Sequence, residues 1–168
     1  MPTLVKRNQI RAFLNTTPEE SNETWSVVGN RQTSGVYSYD ATETDETYIV
    51  DEGPTTIIDR YKLSMDNEMK CYFGDAVFNF VNKLRRNLAI GTAAETSVLL
   101  IDTYDAQTEA QTTSYVAQKF KCTVSISGYG GDGGETPTIS YKISMDGDPI
   151  NGTATINSSG VPTFVPAV

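Results

Sequence analysis

Gly128, Gly130 and Gly133 stand at the spacing G-x-G-x-x-G, inside the glycine-rich stretch 128–134. In a dinucleotide site that spacing lets the backbone approach a pyrophosphate, with a helix N-terminus directly behind it. Here Glu135, Thr136 and Pro137 lead instead into an alternating, strand-like run, and no Lys-Ser or Lys-Thr pair follows to make a P-loop. The stretch reads as a flexible hairpin connection. Asp146-Gly147-Asp148 suggests calcium, yet Ile150 stands at the third ligand position and Asn157 at the twelfth, where an EF-hand loop needs oxygen and a bidentate Glu. With Pro149 it reads as a tight turn. Histidine is absent, which removes the commonest general base and metal ligand. Two carboxylates could serve glycoside hydrolysis, but that chemistry needs them at a fixed separation in a rigid cleft. Most surplus acids fall in the least patterned part of the chain. No G-x-S-x-G, C-x-x-C or H-E-x-x-H occurs. The expectation is a non-enzymatic protein with no cofactor and no metal.

Cys71 and Cys122 lie far apart in a chain with no apolar export segment at residues 1–15, so both are expected as buried, reduced thiols. No apolar run reaches the roughly 20 residues of a membrane helix, and no membrane partner is expected.

Charge is unevenly placed. Residues 15–56 hold nine acids (Glu19, Glu20, Glu23, Asp40, Glu43, Asp45, Glu46, Asp51, Glu52) and one base, Arg31. The net charge of the whole chain is -8, so the remainder is neutral. A balanced body carrying one acidic segment is a poor match for phosphate binding.

The elements follow from periodicity. Residues 4–14 and 24–29 read as strands, the second holding Trp25. The segment about 30–56 reads as a long acidic loop or an extended hairpin. Ile57, Tyr61, Leu63 and Met65 alternate with polar residues, a turn is expected at Asp66-Asn67, and Met69, Cys71 and Phe73 continue the apolar face. Val77, Phe80, Val81, Leu84 and Leu88 fall at helical spacing, predicting one helix over about 75–90 with Asp75 at its start and Gly91 as its stop. Residues 98–101 form a continuous apolar run, expected buried on both faces. Val124 and Ile126, then Ile139, Tyr141, Ile143 and Met145, mark two further strands, and short strands close the chain. The fold expected is mainly β: a β-sandwich or barrel with one flanking helix, a long acidic loop and extended termini. It reads as one domain over 1–168, with arms at about 1–14 and 160–168.

This order of features resembles the major tail tube proteins of long, non-contractile-tailed bacteriophages. The closing segment carries most of the resemblance: Ile139-Ser140-Tyr141-Lys142-Ile143, Asp146-Gly147-Asp148-Pro149, Gly152-Thr153, and Pro162-Thr163-Phe164. The resemblance implies a virion protein that assembles in the host cytoplasm into hexameric rings stacked head-to-tail. Each subunit would lend strands to an inner barrel, removing free strand edges. Roughly 24 strands tilted by about 40° would close a barrel about 50 Å across, wide enough for DNA to pass without specific binding. Partners would be other copies of the chain, the tail tip or baseplate, the tape measure and the terminator. The resemblance assigns residues 35–54 and both tails to assembly. The loop candidates are Tyr37, Tyr39, Asp40, Glu43, Asp45, Glu46, Asp51 and Glu52. The N-terminal candidates are Lys6, Arg7 and Arg11, expected to meet a neighbour's acidic loop. Ile57, Tyr61, Leu63, Val124, Ile126, Ile139 and Ile143 are expected in the core. Competing readings are a tail terminator, hub or capsid decoration protein, or a carbohydrate-binding β-sandwich displaying Tyr37, Tyr39 and Tyr48.

Overall fold

The computed structural model describes residues 2–32, 35–109 and 112–167. It is mainly β with one α-helix. The strands are β1 (Ile10–Asn15), β2 (Trp25–Val28), β3 (Val36–Glu46), β4 (Thr55–Lys70), β5 (Glu95–Glu109), β6 (Thr112–Gly130), β7 (Thr138–Ile156) and β8 (Pro162–Pro166). The helix α1 spans Ala76–Asn87. All eight strands join one antiparallel sheet, ordered β2-β1-β5-β6-β7-β4-β3, with β8 also paired to β7. The mainly-β fold with one helix is as the sequence reading expected, and the pairing runs through a single sheet.

Strand periodicity sorts the long strands into two faces. Val124, Ile143 and Met65 lie side by side across β6, β7 and β4, as do Tyr129, Ile139 and Met69. Most of this face is buried under α1, which lays Val77, Phe80, Val81 and Leu84 on it. Ala12, Leu14 and Val28 from the opposite end of the sheet enter the same core. The sheet therefore curls until its two ends share one interior. A second cluster on β1, β2, β5, β6 and β7 gathers Phe13, Trp25, Leu99, Ile101, Ala117 and Ala154. The run 98–101 is apolar throughout because Val98 serves the first cluster while Leu99 and Ile101 serve the second.

The helix begins where expected. The Asp75 carboxylate Oδ1 accepts from the Phe78 amide at 2.9 Å, an N-cap that satisfies one orphan donor. Its end differs from the expectation. Leu88, in a left-handed conformation (φ 48), closes it, and Gly91 opens a short 3-10 turn, Gly91–Ala94. Leu88 consequently points away from the core and is exposed.

Other sequence readings are corrected by long-range pairing. Asp66-Asn67 is no turn: β4 runs straight through it, because β7 pairs with Ser64 to Lys70 without a break. Asp146 to Pro149 is a bulge inside β7, where the partners of Lys119 and Lys121 are Ile150 and Asp146. Two steps of β6 thus face four steps of β7, and Gly147 takes φ 69. The glycine-rich stretch does connect β6 to β7. Within 4–14, only Ile10–Asn15 is strand, preceded by a 3-10 turn at Arg7–Gln9. The closing strand is present as expected, β8 lying along Gly152 to Ile156. Gly152 permits this contact, because a Cβ there would meet the Val165 carbonyl oxygen and the Phe164 ring. Cys122 is buried as expected and Cys71 only half-buried; both are free thiols.

Candidate assembly surface

The segment read as a long loop or an extended hairpin is mostly a two-stranded arm, the second of those two readings. β3 pairs with β4 from Val36–Asp66 to Glu46–Thr55, with a register shift between Thr42 and Glu43. On its other side β4 meets β7 only from Ser64 onwards. Residues 55–63 of β4 therefore leave the sheet and carry β3 with them, a projection of about 30 Å at strand rise. The departure has a cause, since β8 occupies the same edge of β7 further along, at Gly152 to Ile156.

Sequence patterning persists on the arm although no core covers it. Tyr39 faces Leu63 and Ala41 faces Tyr61, continuing the apolar face of Tyr37 and Met65. Leu63 and Met65 are buried, but Tyr39 and Tyr61 are about 60% exposed, and Ile57 and Ile58 are exposed too. Ile57 and Tyr61, expected in the core, are thus surface residues. Leu63, Val124, Ile139 and Ile143 are in the core, with Ile126 packed against it. At the arm's tip Tyr48, Ile49 and Val50 are exposed in succession, Ile49 completely.

Side-chain bonds stitch the arm together. The hydroxyl of Thr44 donates to Asp59 (2.5 Å) and that of Thr56 to Asp45 (2.8 Å). Tyr48 donates to Glu46 at 2.6 Å, which raises the phenol pKa. Asp40 and Glu43 lie on β3, and Asp51 and Glu52 in the connection to β4, all exposed. Seven of the eight loop candidates thus share the free arm. Tyr37 stands apart at its root, where burial pushes its pKa up to about 12 and the nearby Arg7 charge works against the rise.

Two of the basic candidates, Arg7 and Arg11, line one groove beside the arm root. Arg7 binds within its own chain: Nη2 and Nε donate to the Gly35 carbonyl at 3.1 and 3.3 Å, and the guanidinium lies 5.8 Å from the Tyr37 ring centre. It fastens the N-terminal segment to the arm root. Arg11 donates to the Asn8 carbonyl, and the Lys6 amide donates to Gln9. Three buried polar atoms on β3 and β4 lack a hydrogen-bond partner among the described residues: Tyr37 Oη, Ser64 Oγ and Asn67 Oδ1. Each such group costs about 1–3 kcal/mol. The root is the least satisfied part of the described interior.

The sheet face opposite α1 is polar. Lys121, Thr123, Ser125, Ser140, Lys142 and Ser144 alternate with the core residues of β6 and β7. Its charges nearly balance: Lys70, Lys121 and Lys142 against Asp66, Glu68, Glu95 and Asp146. Lys121 pairs with Glu95 at 2.7 Å, and the Thr123 hydroxyl donates to Asp146 at 3.0 Å.

The signal for the arm tip was present in the sequence as three consecutive apolar residues, 48–50, between Glu46 and Asp51. No group of three or more His, Cys, Asp or Glu among the described residues is placed to hold a metal ion. No known family model matches the chain, and no curated protein matches its sequence.

Proposed function

We propose that this chain is the structural subunit of a phage tail tube, polymerising into hexameric rings stacked head-to-tail. The observation that carries the reading is the arm. A projection of about 30 Å with an apolar tip gains nothing from exposure to water, and its burial needs another molecule. Tube assembly supplies one, since each copy carries an arm and offers its neighbour a body. The nearly neutral polar sheet face suits a conduit wall. It offers DNA phosphates hydration without a continuous cationic track, so the genome slides rather than sticks. In this reading the protein works in the virion, meeting the tape measure, terminator and tail tip during assembly.

The test is negative-stain electron microscopy of the purified chain over a concentration series, with and without extracted tail tips. Hollow filaments of uniform width are expected. Replacing Ile49 and Val50 together with Ser is expected to leave folded monomers that no longer polymerise. Persistent monomers of the unaltered chain in every condition, added tips included, would sink the reading.

A further inference from the structure

Two guanidinium groups lie at the end of the sheet opposite the arm, held in place but without an acid to hold. β4 runs away from the arm tip, so Lys70 and the segment leading to α1 lie at the far end. The Cys71 amide donates to the Pro137 carbonyl at 2.9 Å, which brings the β6–β7 connection to the same end. There Arg31 lies over the Tyr72 ring, 3.8 Å from its centre, on a left-handed backbone (φ 60) that non-glycine residues seldom adopt. Arg85 lies over the Tyr129 ring at 4.0 Å, its Nε donating to Asn82. Arg85 is also close enough to Cys71 to oppose the rise of that thiol's pKa, so it stands near the chain that carries Tyr72. Phe73, the next residue, is 95% exposed.

Among the described residues neither arginine has a carboxylate within ion-pair distance. Asp75 accepts from Phe78 and Asn30 and makes no ion pair with either arginine. Asp132 and Glu135 stand exposed in the β6–β7 connection, neither within ion-pair distance of the two arginines. Stacking on a tyrosine fixes a guanidinium before any partner arrives, so less freedom is lost when a carboxylate binds. Arginine's planar fork then offers two parallel bonds to that carboxylate.

We propose that the Arg31–Tyr72 and Arg85–Tyr129 stacks, with Phe73 beside them, receive the arm tip of a second copy of this chain. The proposal rests on the assembly reading above and names the surface that completes it. The tip brings the ion-pair partners that the two arginines lack, the exposed carboxylates of Asp51 and Glu52, next to Tyr48, Ile49 and Val50. The acids meet the two arginines, and the apolar residues meet Phe73. Because tip and receptor lie at opposite ends of one subunit, each contact leaves a free tip and a free receptor. The contact is heterologous and non-closing, which propagates along an axis.

A charge exchange in the full chain tests this. One variant carries Asp51→Lys and Glu52→Lys; the other carries Arg31→Glu and Arg85→Glu. Each alone places like charges together, and the critical concentration for filaments is expected to rise at least about tenfold. Mixed in equal amounts, the two variants have complementary tips and receptors and are expected to polymerise together, which also shows that both are folded. If the second variant is unfolded by circular dichroism, Arg31→Glu alone replaces it. Unaltered chain that forms filaments while both variants do so equally well overturns the docking site and leaves the tube reading standing. So does failure of the mixture to assemble when each folded variant is blocked. Failure of the unaltered chain itself to assemble overturns the tube reading, and the docking site with it.

Discussion

Single residues decide where this chain is tight and where it yields. Burial pushes the Cys122 thiol up to about 12 from an ordinary 9.0, whereas Cys71 is only half-buried and shifted less. Thiolate is the reacting form, so a thiol reagent at pH 8 is expected to modify Cys71 slowly and Cys122 only after unfolding; mass spectrometry of the labelled chain reads both. Tyr37 is likewise raised, from 10.0 to about 12. Folding holds this phenol neutral, so its contribution is intact below pH 10 and is lost as pH rises from 10 to 12. Chemical denaturation across that window is expected to show a steeper loss of stability for the native chain than for Tyr37→Phe. Gly152→Ala places a methyl against Val165 and Phe164 and is expected to cost about 1–3 kcal/mol, visible as a lower Tm. None of these environments could be read from residue type. The cysteines look alike in sequence, and Gly152 sits in an unremarkable Asn-Gly pair until β8 is laid beside it.

Elements were more legible where their signal is local. The helix announced itself through Asp75 and a stripe at spacings of three and four, and only its last turn was misjudged, because Leu88 extends the pattern while ending the helix. Asp75→Ala is expected to cost about 1 kcal/mol through loss of the cap. The strands of β6 and the first half of β7 were plain from alternation. The arm was not. Alternation reports which face is apolar, not whether anything covers it, so Ile57 and Tyr61 carried the same pattern as the buried Leu63. Asp66-Asn67 misled for a related reason: turn-forming residues are accepted in a strand when partners flank both sides. Hydrogen exchange should divide β4 at the point where it leaves β7. Amides of residues 64–70 are expected to be strongly protected, and those of 55–62 to exchange several-fold faster through local opening.

At the scale of the whole molecule, almost nothing of the sheet order was available in the sequence. The neighbours β1 and β5, or β4 and β7, are far apart in the chain, and their pairing follows from curling that lets Leu14 and Met69 share one core. Charge asymmetry was readable in part: six of the nine acids of the acidic segment lie on the arm, and Glu19, Glu20 and Glu23 lie between β1 and β2. A contact between an acidic arm and arginines weakens as salt screens it. The critical concentration for assembly of the unaltered chain is therefore expected to rise several-fold between 0.05 and about 0.5 M salt; light scattering follows it.

Between Ser144, where β4 leaves, and Gly152, where β8 joins, one edge of β7 has no strand beside it among the described residues. The bulge falls inside that gap. Gly147 bends the backbone, Pro149 has no amide hydrogen to donate, and two aspartates repel an approaching acidic strand. The gap is thereby a poor template for cross-β growth. β7, one of the two longest strands, is kept in this way from recruiting copies in the wrong register.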